Sequence, residues 1–242
     1  MTATERQQVA LVTGASRGLG YALTTTLVQR GWHAVVDARD GDRLSAAFAT
    51  VTGPGTVTAI TGDVTDPSHR RRLVAEATAL GGPDLLVNNA SMLGPSPQPL
   101  LAEYPLDALV DVFTTNTIAP LALIQLALPS LERNGGRIVN VTSDAAMESY
   151  AGWGGYGSSK AALDQLTNIL SAECPTLRVY AFDPGDMNTE LHQQAFPGED
   201  ISDRAAPRSV VPGLLRLIDE DLPSGRYRAA ELRGIETPAV AP

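Results

Sequence analysis

The sequence predicts an α/β protein in which one doubly wound parallel β-sheet carries helices on both faces. Short apolar runs alternate with helical stretches over nearly the whole chain, a pattern typical of parallel strands joined by helices. A glycine-rich turn follows the first run, and polar residues follow several others, as expected at the ligand-binding edge of such a sheet. At 242 residues the chain fits one domain, predicted over 1–242 with flexible ends at 1–7 and 231–242.

The composition narrows the classes of partner. Hydrophobic residues make up 43% and charged residues 19% of the chain, which is ordinary for a globular protein, and the formal net charge is −9. This acidic balance provides no basic footprint, so neither nucleic acid nor a membrane surface is expected as a partner. A polar start, no uninterrupted apolar run of membrane-spanning length and a single cysteine favour a cytoplasmic location. The histidines and the cysteine show no metal-ligand spacing, so no metal site is expected.

The first apolar run leads into a turn that is suited to binding phosphate. Val9–Val12 is predicted as a strand, residues 13–20 as the turn TGASRGLG, and the apolar spacing after it as a helix. Glycines allow a backbone to approach a pyrophosphate closely, and the free N–H groups at a helix N-terminus attract its charge. A strand, a glycine turn and a helix in this order therefore predict a dinucleotide site.

The stretch 138–160 carries side chains suited to proton transfer. Ser143 follows an apolar run and is expected at the carboxyl end of a strand. Tyr156 and Lys160 are four residues apart on the next helix, so they share one face, and the ammonium is expected to lower the pKa of the phenol. Tyr150 has no lysine four residues later and lies too close to Ser143 for this role.

The glycine spacing G-x-x-x-G-x-G at 14–20, combined with this serine, tyrosine and lysine, resembles the short-chain dehydrogenase/reductase family. Residues 88–91, Asn-Asn-Ala-Ser, and the segment 183–189 resemble further motifs of that family in the expected order. The resemblance covers about residues 8–230 and implies a compact, single Rossmann-type domain of the ketoreductase type. It implies hydride transfer between NADP(H) and a small carbonyl or secondary alcohol substrate.

The resemblance implies four catalytic residues. Tyr156 would act as general acid or base, Ser143 would hydrogen-bond the reacting oxygen, and Lys160 would lower the tyrosine pKa and hold the nicotinamide ribose. Asn116, between the fourth and fifth strands, would hold a water molecule against the lysine through its main-chain oxygen. Pro120 predicts a kink in the same helical segment.

The resemblance also implies a set of cofactor-binding residues spread over the carboxyl edge of the sheet. They are Gly14, Ser16, Arg17, Gly18, Leu19, Gly20, Arg39, Asp63, Val64, Asn89, Ala90, Tyr156, Lys160, Pro184, Gly185, Met187 and Thr189. Thr189 would hydrogen-bond the nicotinamide carboxamide, whereas Asp63 would either face the adenine amino group or act only as a turn residue. Ser91 stands where the family has glycine, which places a Cβ close to the expected path of the nicotinamide ribose.

Cofactor choice depends on the end of the second predicted strand, Trp32–Val36. Arg39 takes the position of the family's NADP-selecting arginine, and Arg17 resembles its second basic residue, so NADP(H) is favoured. The alternative is that Asp37 accepts the ribose hydroxyls and repels a phosphate, which would favour NAD(H).

Three further expectations concern substrate, assembly and alternative functions. Residues 190–212 are polar and weakly periodic and are predicted to form a lid over the substrate. By resemblance, the chain is expected to form a homodimer or homotetramer through the helices that carry Asn116 and Tyr156. Two other functions stay open: a non-redox cyclase, dehydratase or epimerase that retains the dinucleotide, and a nicotinamide-sensing regulatory protein.

Overall fold

The computed structural model describes residues 6–233 and contains a seven-stranded sheet, in which every neighbouring pair of strands is parallel. The strand order is β3-β2-β1-β4-β5-β6-β7, which confirms the predicted doubly wound Rossmann-type fold. The strands are β1 Val9–Val12, β2 His33–Ala38, β3 Thr56–Thr61, β4 Leu85–Asn88, β5 Arg137–Val141, β6 Arg178–Asp183 and β7 Gly225–Arg228.

Nine α-helices accompany the strands within residues 6–233. They are α1 Gly18–Gln29, α2 Gly41–Phe48, α3 Pro67–Ala79, α4 Leu106–Phe113, α5 Ala119–Asn134, α6 Gly154–Glu173, α7 Glu190–Ala195, α8 Val211–Asp219 and α9 Ala229–Arg233. The predicted second strand, 32–36, continues two residues further to Ala38, and the last strand ends at Arg228 because the chain turns into α9.

The five inner strands, β1, β2, β4, β5 and β6, are buried on both faces, which explains why they read as mainly apolar runs, whereas the edge strands β3 and β7 are largely accessible. In β1, Ala10 and Val12 pack into the core that includes α1 and α8. Val9 and Leu11 point the other way, into the core that includes α3 and α5. Two helical layers therefore enclose one sheet.

The strand order reverses between β1 and β4, which are hydrogen-bonded neighbours. In an open parallel sheet, such a reversal leaves a crevice outside the carboxyl ends of the two strands. The glycine turn follows β1 and the Asn-Asn-Ala-Ser segment follows β4, so both motifs lie at this crevice.

The helical segment between β4 and β5 differs from the predicted simple kink. A π-helical turn, Thr114–Ile118, joins α4 to α5, and Pro120 lies in the first turn of α5. Proline lacks the N–H that a regular helix would use there, and π-turns accommodate such irregularity. The 29-residue stretch Leu106–Asn134 is long and apolar enough to cross a membrane, although one face of α5 packs into the core of the sheet.

The predicted flexible ends are partly ordered. Gln7 donates a hydrogen bond to the main-chain oxygen of Gly31, and Leu232 in α9 is buried against the sheet. The remainder of these predicted ends, 1–5 and 234–242, lies outside the described residues. Exposed large apolar side chains occur on the helices of the expected oligomer interface, namely Leu106, Val110, Ile118, Leu126 and Ile169. The oligomer itself stays a prediction.

Candidate active site

A cavity of about 570 Å³ opens at the carboxyl edge of the sheet, within the usual range for a ligand site. All but two of the predicted site residues line it. They are Gly14, Ser16, Arg17, Gly18, Leu19, Arg39, Asp63, Val64, Asn89, Ala90, Ser143, Tyr156, Lys160, Pro184, Gly185, Met187 and Thr189. Gly20 and Asn116 are the exceptions, because both are buried behind the wall of the cavity.

The glycine turn is held from below by a buried carboxylate. Asp37 is 1% exposed, and its Oδ1 accepts a hydrogen bond from the Gly14 N–H at 2.8 Å. Its Oδ2 shares a hydrogen bond with His69 Nε2 at 2.9 Å. Burial raises the pKa of Asp37, and the hydrogen bonds from His69 and Gly14 oppose that rise. Asp37 also lines the cavity, so its alternative role as a ribose ligand stays open.

The turn also packs tightly against the segment that follows β4. Asn89 Nδ2 donates to the main-chain oxygens of Thr13 at 2.9 Å and Gly14 at 3.0 Å. A Cβ at Gly14 would lie 2.8 Å from Ala90 Cα, and one at Gly20 would lie 2.6 Å from Asn89 Nδ2. Gly20 therefore serves close packing rather than cofactor contact, whereas Gly14 has a φ of 66°, which favours glycine.

The start of α1 fits the phosphates of a dinucleotide. Within the part of the chain that the structure describes, no side chain caps the helix at Arg17, so the first N–H groups are left for another acceptor. These groups attract a pyrophosphate through their partial positive charge. The uncapped N–H groups, the Gly14 and Gly18 backbone and the cavity above them therefore match the predicted dinucleotide.

Three arginines line the same cavity. Arg17 and Arg39 are the two that the sequence predicted, and Arg43 on α2 is a third that sequence reasoning missed. Its signal was present but weak, because Arg43 lies only four residues after Arg39, in the first turn of α2. Arg39 is exposed and has no ion-pair partner within residues 6–233, so its guanidinium is free to bind an anion.

Ser143 follows β5, as predicted, and its hydroxyl group is held by local contacts. Its Oγ donates to Asp144 Oδ1 at 2.9 Å and accepts from the Ala145 N–H at 3.2 Å. The exposed Tyr150 donates to the other Asp144 oxygen at 3.1 Å and takes no part in the Tyr156 cluster. Asp144 thus accepts the hydrogen bond of the Ser143 hydroxyl group, a contact that the sequence did not predict.

Tyr156 and Lys160 lie together in the cavity wall and are almost fully buried, at 6% and 2% exposure. Lys160 Nζ lies 5.5 Å from the centroid of the Tyr156 ring and donates to the Val141 main-chain oxygen at 2.8 Å. Burial raises the pKa of Tyr156 to about 12 and lowers the pKa of Lys160 to about 8.

Burial has the largest influence on the pKa of Tyr156 in this structure, and the expected lowering of that pKa by Lys160 stays a prediction. Desolvation opposes the charged forms of both groups. The phenol is consequently neutral throughout the neutral pH range, which suits it to donating a proton.

Ser91 contacts the reactive phenol, a role that its sequence position did not reveal. Hydrogen bonds from the hydroxyl groups of Ser91 and Ser143 to the Tyr156 oxygen lower the tyrosine pKa, although less than burial raises it. The other acceptor for the Ser91 proton is Asn116 Oδ1, at 3.2 Å from Ser91 Oγ. The hydroxyl group of Ser91 thus connects the phenol to the buried asparagine.

Asn116 is fully buried in the π-turn and links three parts of the site. Its Oδ1 accepts from the Met92 N–H at 2.8 Å, and its Nδ2 donates to the Met92 oxygen at 2.8 Å and to Ser159 Oγ at 3.0 Å. The amide therefore joins the segment after β4 to Ser159 of α6, and Ser159 is three residues after Tyr156. The π-turn brings the Asn116 main chain into an irregular helix at this point.

Two predicted cofactor residues also have local structural roles. Asp63 Oδ1 accepts from the Thr65 N–H and the Thr65 hydroxyl, both at 2.8 Å, which is the turn role left open by the sequence. Thr189 Oγ1 accepts from the His192 N–H at 3.3 Å and caps α7. Both remain on the cavity wall, and the Thr189 hydroxyl retains its proton for a further hydrogen bond.

Arg226 on β7 was missed by sequence reasoning, and it connects three elements of the site. Its Nη2 donates to the Ser143 main-chain oxygen and to Asp183 Oδ2, both at 2.9 Å. Its Nε donates to Asp164 Oδ2 at 3.1 Å, one helical turn beyond Lys160. Arg226 thus fixes the backbone of the serine relative to α6 and the end of β6.

Comparisons with known proteins agree with this geometry. Residues 8–200 match the protein family described as short chain dehydrogenase. Short chain dehydrogenase asqE of Emericella nidulans is 37% identical over 185 residues, which are 73% of this chain and 68% of that protein.

Solved structures of other proteins have the same fold. A short chain dehydrogenase from Salmonella enterica serovar Typhi is 26% identical, with a TM-score of 0.84 over 93% of this chain and 96% of that one. A protein from Escherichia coli CFT073, classed as a short chain dehydrogenase and crystallised with NADPH, is 25% identical, with a TM-score of 0.82 over 92% and 96% of the two chains.

Proposed function

Because the chain belongs to the short-chain dehydrogenase/reductase family, we propose that it transfers a hydride between NADP(H) and a carbonyl or secondary alcohol. The observation that carries this proposal is the convergence of Ser143, Tyr156 and Lys160 in one cavity with the glycine turn. Proton-transfer groups and a phosphate-binding helix terminus share that cavity, as a hydride transfer between a dinucleotide and an oxygen-bearing substrate requires.

In the proposed reduction, Tyr156 donates its proton to the substrate oxygen. Burial keeps the phenol neutral in the neutral pH range, and Ser143 and Ser91 contact its hydroxyl group. Ser143 is proposed to orient the same substrate oxygen once its own proton turns from Asp144 towards the substrate. NADPH, when bound, supplies the hydride.

Lys160 and Asn116 support the phenol in this proposal. Lys160 Nζ is anchored on the Val141 oxygen, and the ammonium retains further protons for the nicotinamide ribose. Asn116 holds the segment after β4 against α6 and is proposed to carry the water relay through its main-chain oxygen. Proton return to Tyr156 would then follow Lys160 and Asn116.

Three observations support NADP(H) over NAD(H). Arg39 lines the cavity without an ion-pair partner among the described residues, and Arg17 lies at the α1 terminus. Asp37, the acid that would favour NAD(H), is buried under the glycine turn with both oxygens engaged. A related protein from Escherichia coli was crystallised with NADPH.

The test is an assay of cofactor absorbance in the near ultraviolet with a panel of ketones and aldehydes. We expect the wild-type protein to consume NADPH in step with alcohol formation and to prefer NADPH to NADH. Arg39→Ala should raise KM for NADPH by about tenfold and leave KM for NADH within about twofold, because it removes charge-assisted hydrogen bonds to the 2′-phosphate alone. Substrate conversion without any absorbance change would instead favour a non-redox cyclase, dehydratase or epimerase.

A pH profile tests the contact between Ser91 and Tyr156. The hydrogen bond from the Ser91 hydroxyl group to the phenol oxygen lowers the tyrosine pKa, so its loss in Ser91→Ala should raise that pKa. Alcohol oxidation requires the phenolate as base, and the acid limb of kcat/KM for oxidation should therefore move to higher pH.

Ser91→Gly separates the hydroxyl group from the Cβ. Both variants lack the hydroxyl, so both should shift the acid limb by the same amount. A limb that stays at the wild-type pH in both variants would show that Ser91 does not act on Tyr156. A lower KM for NADPH in the glycine variant alone would identify the Cβ as a steric hindrance to the cofactor.

A further inference from the structure

The carboxylate of Glu190, the first residue of α7, is bound by two arginines from different parts of the chain. Arg17 Nη1 donates to one carboxylate oxygen and Arg43 Nη2 to the other. The hydrogen bond from Arg43, followed by the charge of Arg17, holds the pKa of Glu190 below its usual range. Glu190 therefore acts as an internal anion bound in a site formed by two guanidinium groups.

The two arginines belong to the cavity wall where the phosphates of a dinucleotide are expected. Arg17, Arg43 and Glu190 all line the cavity, and Arg39 lines it without an ion-pair partner among residues 6–233. Two anions therefore compete for the Arg17 guanidinium. It is a proposed ligand of the 2′-phosphate, and it is already bound to Glu190. A carboxylate and a phosphate beside one guanidinium repel each other, so they disfavour simultaneous binding.

We propose that Glu190 is an internal competitor of the cofactor's 2′-phosphate for Arg17 and Arg43. Without the phosphate, Glu190 pairs with both arginines, offsets one of their two positive charges and ties the start of α7 to α1 and α2. The phosphate of NADP(H) displaces Glu190 from the arginines, and NAD(H), which lacks this phosphate, leaves Glu190 in place. This role rests on the proposed function, because it concerns the same cofactor.

The competition has a consequence at the substrate end of the cavity. Leu191, His192 and Ala195 of α7 also line the cavity, and the rings of His192 and Phe196 lie 4.8 Å apart. The Phe196 ring in turn lies 5.9 Å from that of Trp153, which borders Tyr156. Release of Glu190 therefore loosens α7, which covers the substrate side of the cavity. The mobility of the predicted lid thus depends on which cofactor is bound.

Binding of two nucleotides by isothermal titration calorimetry tests the competition. Adenosine 2′,5′-bisphosphate carries the 2′-phosphate, and adenosine 5′-monophosphate does not. Glu190→Gln keeps the size of the side chain and removes its charge, so Kd for the bisphosphate should fall about threefold to tenfold, as expected for two exposed ion pairs. Kd for the monophosphate should stay within about twofold.

Glu199→Gln is the matched control on the same segment. Glu199 is exposed, its carboxylate forms no ion pair with residues 6–233, and its replacement changes the net charge by the same amount. We expect the control to leave both dissociation constants within about twofold. If Glu199→Gln strengthens bisphosphate binding as much as Glu190→Gln does, the effect is one of overall charge and the competitor role is wrong.

Hydrogen exchange of the α7 amides provides a second readout that does not depend on turnover. In the wild-type protein, saturating bisphosphate should raise exchange in α7 above the level with monophosphate. In Glu190→Gln, the two nucleotides should give equal exchange, because the ion pairs of residue 190 with Arg17 and Arg43 are already absent.

The outcomes separate this role from the proposed function. If neither protein binds NADPH or the bisphosphate, the NADP(H) proposal fails and the role of Glu190 fails with it. If both bind the bisphosphate with the same Kd, or if the glutamine variant binds it more weakly, NADP(H) use stands and only the competitor role is overturned.

Discussion

Replacement of Tyr156 by phenylalanine is expected to lower kcat/KM for carbonyl reduction by about 10²–10⁴-fold, the usual contribution of a positioned general acid. The change removes only the hydroxyl group that donates the proton. The ring should keep its place, since it packs edge-on against Trp153 at 5.9 Å and contacts Leu93 and Ala145 in a small core. NADPH affinity should therefore stay within about threefold of the wild-type value, which separates the loss of chemistry from a loss of binding.

The pH dependence of the wild-type protein follows from the same group. Burial raises the pKa of Tyr156 to about 12, so the fraction of phenol that can donate a proton is nearly constant across the neutral range. Reduction should therefore show no loss from Tyr156 ionisation in that range. Oxidation needs the phenolate, whose fraction increases with pH, so its rate should rise with pH.

Tyr150→Phe is the matched control, because this tyrosine is also close to Ser143 in sequence. Its hydroxyl group is exposed and bonds only to Asp144 among the described residues. We expect kcat/KM to change by no more than about threefold. Equal losses in both variants, or full activity in Tyr156→Phe, would contradict the assignment of Tyr156 as the proton donor.

Replacement of Arg226 by methionine is expected to lower the free energy of unfolding by about 3 kcal/mol. The guanidinium is paired with Asp164 at 3.1 Å and Asp183 at 2.9 Å, and both carboxylates are buried. Methionine fills a similar volume but leaves these charges without their main partner. Arg228 Nε lies 3.6 Å from Asp183 and offsets part of the loss, which places the effect at the lower end of the usual range. The midpoint of thermal unfolding should fall by roughly 6–12 °C.

The loss in free energy of unfolding caused by Arg226→Met should become smaller as pH falls. Burial is the largest influence on Asp164 and raises its pKa, while Arg226 lowers it. Without Arg226 the pKa of Asp164 in the folded state should rise further above the unfolded value, so the folded variant binds more protons than the unfolded chain. Stability of the variant relative to wild type should then improve as pH falls.

Arg30→Met is the control for the loss of an ion pair as such. Arg30 Nη2 lies 2.8 Å from Asp219 Oδ1, but both side chains are more than one-third exposed. Solvent screens this pair, so we expect a loss of less than about 1 kcal/mol in denaturant unfolding. A similar small loss in Arg226→Met would show that the buried network contributes little to stability.

Several features of this protein could be predicted from the sequence because they depend on local order along the chain. The inner strands are short, mainly apolar runs buried on both faces, and Val9–Val12 occurs where its pattern indicated. Tyr156 and Lys160 share a helix face because helical geometry brings residues four apart together. The glycine turn precedes α1 for the same local reason, since Gly14 needs a positive φ and the helix start needs an open terminus.

Other features depend on partners that are distant in sequence, and no local pattern contains them. Arg17 meets Glu190 across 173 residues, and Arg226 reaches the Ser143 oxygen across 83. Asp37 supports Gly14 because β1 and β2 are neighbours in the sheet.

The sequence by itself determined the order of the elements, the glycine turn and the spacing of the tyrosine and lysine, since these follow from backbone geometry over a few residues. Only the tertiary structure decided the ionisation of Tyr156, the two arginine partners of Glu190 and the contacts of Arg226. Desolvation and ion pairing depend on which distant segments exclude water from a side chain, and that is a property of the assembled sheet and helices.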